Sequence, residues 1–225
     1  MSTDERGAAR SPFAVLFDLD GTLVDSIDLL VTSMEYAFDG RTWRPPIDEW
    51  VAMIGTPLDT MLAHWADGPD DVQALRARYR EFQLANHDAM TRAYPGAVDA
   101  VRALHASGVL LAIVTSKLEG GARRSLGFVG IEACFSAVVG IDHTVRHKPE
   151  PDPVLHALTL LGVPTTRAVF IGDSTHDMHA GRAAGVTTAA ALWGPYERAQ
   201  LESTAPDHWL PHMQDVVPLV RALRG

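Results

Sequence analysis

FAVLFDLDGTLVDS, Phe13 to Ser26, is the stretch that decides how this chain is read. An apolar run, Phe13-Ala14-Val15-Leu16-Phe17, leads directly into two carboxylates one residue apart, Asp18 and Asp20, followed by Gly21 and Thr22. The run has the length and character of a strand covered on both faces. Alternate side chains of an extended segment share a face, so Asp18 and Asp20 are expected to point the same way while Leu19 points back. Close carboxylates at the end of a buried strand repel each other and lose hydration. Such a pair fits a hard cation, or a reaction that needs both a nucleophile and an acid.

Further along, strand-sized apolar runs alternate with helical patterns. Val109–Val114, Ala137–Val139, Ala168–Ile171 and Thr187–Leu192 read as strands. Ala97–Ala106, Pro153–Leu161, Asp177–Ala184 and Asp215–Leu223 carry apolar residues at helical spacing. This order predicts an α/β fold, a Rossmann-like parallel sheet with helices on both faces. From Ile27 to Tyr94 no strand is expected. Ile27–Phe38, Leu58–Trp65 and Asp70–Met90 look helical, with Pro45-Pro46 breaking the first two apart. The expected organisation is a leader over 1–12, a core formed by 13–26 and 93–225, and an all-helical insert over 27–92. Val24-Asp25-Ser26 and the run near Pro95 are the expected hinges.

Composition narrows the function classes. The formal net charge over the 225 residues is −9, which argues against nucleic acid as a main partner. One cysteine, Cys134, rules out an internal disulfide and fits a reducing compartment. No apolar run approaches the roughly 20 residues of a membrane span. The polar N-terminal segment does not read as a signal peptide and is expected to be a disordered leader.

Four polar clusters fall at or just after predicted strand ends, where open α/β sheets bind their ligands. They are Asp18–Thr22, Thr115-Ser116-Lys117, Lys148-Pro149, and Gly172-Asp173-Ser174-Thr175-His176-Asp177. In this order and spacing they resemble the four motifs of the haloacid dehalogenase superfamily, and the phosphoglycolate phosphatase-like subgroup in particular. The helical insert resembles that family's cap domain.

The resemblance implies a Mg²⁺-dependent phosphohydrolase acting on a small phosphorylated metabolite in the cytoplasm, without nucleic acid or membrane as partner, as a monomer or a homodimer. It implies Asp18 as the nucleophile that forms an aspartyl-phosphate. Asp20 is implied as the acid that protonates the leaving oxygen and then the base that activates water. Asp18, the Asp20 backbone carbonyl and Asp173 are the implied metal ligands, with Asp177 behind them pairing with Lys148. Gly21, Thr115, Ser116 and Lys148 are the implied phosphate contacts, Thr115 through its hydroxyl and Ser116 through its N–H. The second carboxylate, Asp20, separates the chain from dehalogenating relatives and points to phosphate esters or anhydrides. Inorganic pyrophosphatase and a sugar phosphomutase of the β-phosphoglucomutase type stay open beside the phosphoglycolate phosphatase reading.

Plainer readings sit beside these. Thr115 alone reads as a helix cap, and Asp173 and Asp177 as charges at a helix N-terminus. His176 and His179, three apart, suggest zinc, but no third soft ligand accompanies them. His147 is expected near the site. In the insert, Ile54-Gly55-Thr56-Pro57 reads as a loop facing the site, and Arg41 or Arg44 as contacts for a second anionic group on the substrate. Trp50, Trp65 and Cys134 read as packing.

Overall fold

The computed structural model describes residues 12–225, so the expected leader lies, but for Pro12, outside the described residues. In chain order the first elements are β1 (Ala14–Phe17), β2 (Val24–Asp25), α1 (Ile27–Ala37), α2 (Ile47–Met53), α3 (Leu58–Ala63) and α4 (Pro69–Met90). Then come β3 (Arg92–Ala93), α5 (Ala97–Ala106), β4 (Leu110–Val114), α6 (Glu119–Phe128), β5 (Ala137–Val139) and α7 (Asp152–Leu161). The remainder is β6 (Ala168–Gly172), α8 (Thr175–Ala184), β7 (Thr187–Ala191), α9 (Arg198–Leu201), β8 (His208–Leu210) and α10 (Val216–Arg224).

Six strands form a parallel sheet in the order β5-β4-β1-β6-β7-β8. β1 lies inside it, in register with β4 (Ala14 opposite Leu110) and β6 (Ala14 opposite Ala168). Its residues are buried on both faces, as the apolar run required. Val15 and Phe17 belong to one core layer, shared with α5 and α10. Ala14 and Leu16 belong to the other, shared with α7 and α8. Parallel strands all end on one edge, so the segments after β1, β4, β5 and β6 are brought together there.

Helices α1 to α4 build a third core of their own around Met34, Phe38, Trp50, Leu62, Leu75 and Tyr79. Two aromatic contacts tie it together, with Trp50 ring centroids 5.6 Å from Trp65 and 6.0 Å from Tyr79.

The structure adds several elements to the expectation. The insert is entered and left through a small antiparallel pair, β2 with β3, so the segment expected to hold no strand ends in one. A helix, α2, follows Pro45-Pro46 where none is expected. α6 follows Thr115-Ser116-Lys117 as the capping reading of Thr115 implied, but its N-cap is Leu118. A sixth strand, β8, extends the sheet beyond β7. Among the described residues no helix is long and apolar enough to cross a membrane.

Candidate active site

The ladder hydrogen bonds run one residue past the strands and fix the first site residues. Asp18 N–H donates to Ile171 O at 2.9 Å, and Thr115 N–H donates to Val139 O at 3.0 Å. Asp18 therefore leaves the end of β1 directly beside the end of β6. There Asp173 and Asp177 stand, and one carboxylate oxygen from each of Asp18, Asp173 and Asp177 lies within 4.8 Å of the other two. All three residues are buried. Lys148 reaches in from the segment after β5, with Nζ 2.9 Å from Asp18 Oδ1 and 2.6 Å from Asp177 Oδ1.

Further hydrogen bonds hold each carboxylate. The Thr22 hydroxyl donates to Asp173 Oδ1 at 2.5 Å, and Thr22 O is in turn held by the Trp193 indole N–H at 2.8 Å. Asp177 Oδ2 accepts from Ser174 N–H (3.0 Å) and Ser174 Oγ (2.6 Å), closing a capping box at the start of α8. Asp177 thus both caps its helix and pairs with Lys148. The two readings of that residue are compatible. Two glycines give Asp173 its room. A Cβ on Gly21 would lie 2.6 Å from Asp173 Oδ2, at a φ of +89° that also favours glycine. A Cβ on Gly194 would lie 2.4 Å from Asp173 Cβ.

Three buried carboxylates share one ammonium. Burial first, and then the Asp177 charge, push Asp18 up to about 7 against the pull of Lys148. Burial, then Asp18 and Asp177, raise Asp173 well above the usual carboxylate range. For Lys148 burial acts downwards, but Asp177 and Asp18 outweigh it and hold the ammonium above its ordinary value. The cluster carries more negative charge than its protein partners neutralise, and all its donors are oxygens. These residues fit a hard divalent cation.

Asp20 stands apart from the buried three. Its Oδ1 accepts from Ser26 Oγ at 2.5 Å and from Lys117 Nζ at 2.7 Å. Lys117 is a site residue that the sequence reading quoted without a role. Asp20 was also its unforeseen partner, 97 residues away in sequence. Thr115 Oγ1 accepts from Lys117 N–H at 3.2 Å, which leaves its own hydroxyl hydrogen available. The Ser116 hydroxyl donates to Gly55 O. Ser116 is therefore bound to the insert through its side chain.

A cavity of ≈ 690 Å³ opens over these residues. Asp18, Asp20, Thr115, Ser116, Lys117 and His147 line it from the core side, and Gly55, Thr56 and Pro57 from the insert. The Ile54–Pro57 loop does face the site. The Tyr196 hydroxyl, on the core, lies 2.6 Å from Ala52 O and 3.2 Å from Ile54 O and fastens the same loop. Gly21, Lys148 and Asp173 sit behind the cavity wall and do not line it.

Arg41 and Arg44 do not line it either. Arg41 is engaged by both oxygens of Asp71, and Arg44 Nη1 lies 3.0 Å from Glu35. The expectation that they meet substrate is corrected: insert carboxylates hold them away from the site. Trp50 packs as expected but also lines the cavity, with its Nε1 buried and unpartnered. His176 and His179 join no metal-capable group among the described residues, and burial lowers His176.

A parallel sheet with a helical insert after its first strand, and a buried carboxylate cluster at its strand ends, defines a class of hydrolase. A family model described as haloacid dehalogenase-like hydrolase matches residues 15–191, and the chain belongs to that family. It is an enzyme of the phosphatase kind within it. The chain is 35% identical over 213 residues to a pyrophosphatase PpaX of Bacillus pumilus, covering 92% of this chain and 96% of that one. It is 32% identical over 210 residues to a pyrophosphatase PpaX of Halalkalibacterium halodurans, covering 92% and 95%. Among solved structures, a predicted phosphoglycolate phosphatase from Haemophilus somnus superposes with a TM-score of 0.85 at 24% identity, covering 95% of this chain and 99% of that one. That last likeness concerns the fold alone.

Proposed function

We propose that this protein hydrolyses small phosphate esters through a phosphorylated Asp18, with Mg²⁺ as its cofactor, in the manner of a phosphoglycolate phosphatase. One observation carries the proposal. Asp18 is the member of the buried carboxylate cluster that also faces the cavity, next to Asp20 and Thr115.

In the first step an Asp18 carboxylate oxygen bonds phosphorus as the bond from phosphorus to the leaving oxygen breaks. Asp20 delivers a proton to that oxygen. Lys117 and Ser26 both bond Asp20 Oδ1, so Oδ2 is the oxygen placed to carry the proton. In the second step Asp20 takes a proton from water, and the water oxygen attacks phosphorus. Inorganic phosphate leaves, and Asp18 returns as a carboxylate. Thr115 Oγ1 and Ser116 N–H donate to phosphoryl oxygens, and Lys148 orients Asp18 and favours its ionised form against the effect of burial. The side chains of Asp18 and Asp173 and the Asp20 carbonyl would hold the Mg²⁺, with Asp177 behind them. When bound, the ion supplies positive charge against which an anionic phosphate can approach a carboxylate. Helices α1 to α4 act as a cap, and β2 with β3 is the hinge pair on which it is carried.

A second reading, hydrolysis of pyrophosphate, is supported by the names of the relatives in Bacillus and Halalkalibacterium. The deciding experiment is Mg²⁺-dependent phosphate release from phosphoglycolate, pyrophosphate, β-glucose-1-phosphate and a chromogenic aryl phosphate, with Asp18→Asn alongside. Release from wild type and none from a folded Asp18→Asn supports the mechanism. Appreciable turnover by Asp18→Asn would refute the covalent step. Isomerisation of the sugar phosphate without net phosphate release would replace hydrolase by mutase.

A further inference from the structure

The insert side of the cavity has apolar walls that neither phosphate nor glycolate fills. At ≈ 690 Å³ the space is in the range of pockets that enclose drug-sized organic ligands. Leu30, Trp50, Ile54, Met61, Leu84 and Leu118 line much of it. Water against such walls is readily displaced by an apolar body. A pyrophosphate would leave these walls wet and unused.

One polar group interrupts the apolar lining without a partner of its own. It is Arg80, an exposed residue of α4. Its neighbours on α4 are engaged: Arg76 Nη1 lies 2.5 Å from Asp59, and Arg78 donates to Asp39 O at 3.1 Å. Arg80 has no ion pair or hydrogen bond among the described residues, yet it lines the cavity with Gln83, one turn further along the same helix.

We infer that the leaving group of the substrate is an organic body with an apolar face that ends in a carboxylate. The carboxylate is received by Arg80 and Gln83, and the apolar face lies against Leu30, Ile54 and Met61. The inference rests on the phosphohydrolase reading above and extends it to a substrate class. A carboxylate fits better than a second phosphate because one unpaired cation is present on this wall. A phosphate dianion asks for more. Planar guanidinium and planar carboxylate also match in a two-pronged contact.

The test compares 4-carboxyphenyl phosphate with phenyl phosphate, in wild type, Arg80→Ala and Arg80→Lys. The readouts are kcat/KM with Mg²⁺, and equilibrium binding to the same proteins carrying Asp18→Asn. The ratio between the two esters is the quantity read, and comparing it across variants cancels their different intrinsic reactivity. Wild type is expected to prefer the carboxylated ester by about tenfold or more, in turnover and in binding. Arg80→Ala should bring the ratio near one, and Arg80→Lys should retain part of it. Phosphate release from both esters at a ratio that Arg80→Ala does not change would overturn the subsite while leaving the hydrolase reading standing. Arg80-dependent binding of the carboxylated ester, with no phosphate released from either, would do the reverse.

Discussion

Lys148→Met is the substitution whose consequence the structure fixes most tightly. The lysine is 3% exposed and its Nζ touches Asp18 and Asp177, with Asp173 in the same cluster. Methionine nearly conserves volume, so the change is mainly one of charge. It leaves three buried carboxylates without a cation. Removing one partner of a buried pair costs about 3–5 kcal/mol, chiefly because the remaining charge stays dehydrated and unpaired. For a chain of this size each kcal/mol lowers Tm by roughly 2–4 °C, so the expected drop is on the order of 6–20 °C.

Two conditions should shrink that drop. Acid should do so because Asp18 and Asp173 are already pushed upward, and without Lys148 they take up protons more readily. Mg²⁺ should do so because it supplies the missing positive charge. The assay is thermal unfolding in chelator at about pH 8 and about pH 5.5, then with Mg²⁺, beside Arg146→Met as control. Arg146 lies two residues away on the same segment, but its side chain is 63% exposed, so its loss should cost under about 0.5 kcal/mol. A Lys148→Met protein that melts within about 2 °C of wild type at the higher pH, in chelator, would refute the charge accounting of the cluster.

Four further predictions follow from the same geometry. Metal affinity should rise with pH up to about 7 and level off above it, because Mg²⁺ must displace the proton that burial and Asp177 hold on Asp18; titration calorimetry at several pH values reads this directly. The metal-free protein should show the matching stability trend. The folded value for Asp18 lies above the ordinary 3.8, so its contribution is fully present below about 4, is lost as pH rises to about 7 and is flat beyond; chelator-treated melts that rise over that window would contradict it. Gly194→Ala should abolish Mg²⁺-dependent turnover and weaken Mg²⁺ binding measured by calorimetry, since the new methyl would lie 2.4 Å from Asp173 Cβ. Tyr196→Phe should lower Tm by roughly 2–4 °C, the worth of about one hydrogen bond, through loss of the contact to Ala52 O and Ile54 O; an unchanged melt would show that this contact holds nothing.

The catalytic floor was legible in the sequence because its residues follow strands directly. An apolar run both predicts the strand and points to its end, so Asp18, Thr115 and Asp173 could be placed by local pattern alone. The elements that escaped notice lack such local marks. β8 is a short edge strand, His208-Trp209-Leu210, bonded on one side to β7, so it needs no continuous apolar run. α6 opens with Glu119-Gly120-Gly121, and glycines disfavour a helix by up to about 1 kcal/mol each. Burial of Ala122 and Leu126 in the core shared with β4 and β5 overrides that preference.

The substrate-facing wall was misread for a different reason. Its residues are placed by helix faces and long-range pairing. Arg41 and Arg44 on the one hand, and Arg80 on the other, are indistinguishable as letters in the insert. What separates them is that Asp71 and Glu35 hold the first two, while Arg80 is left unpaired beside the cavity. Lys117 likewise owes its place to Asp20, and Gly55 to Ser116. Of these pairings, Ser116 with Gly55 joins core to insert, and the others lie within one or the other. The docking is fixed by a few hydrogen bonds: Ser116 to Gly55, Tyr196 to Ala52, and His87 Nε2 to Ser125 Oγ at 2.9 Å. Relatives that share the strand-end residues can therefore differ in substrate by changing which insert side chains are paired off and which are left free. On that argument the specificity proposed for this chain rests on the unpaired Arg80 more than on any residue of the four motifs.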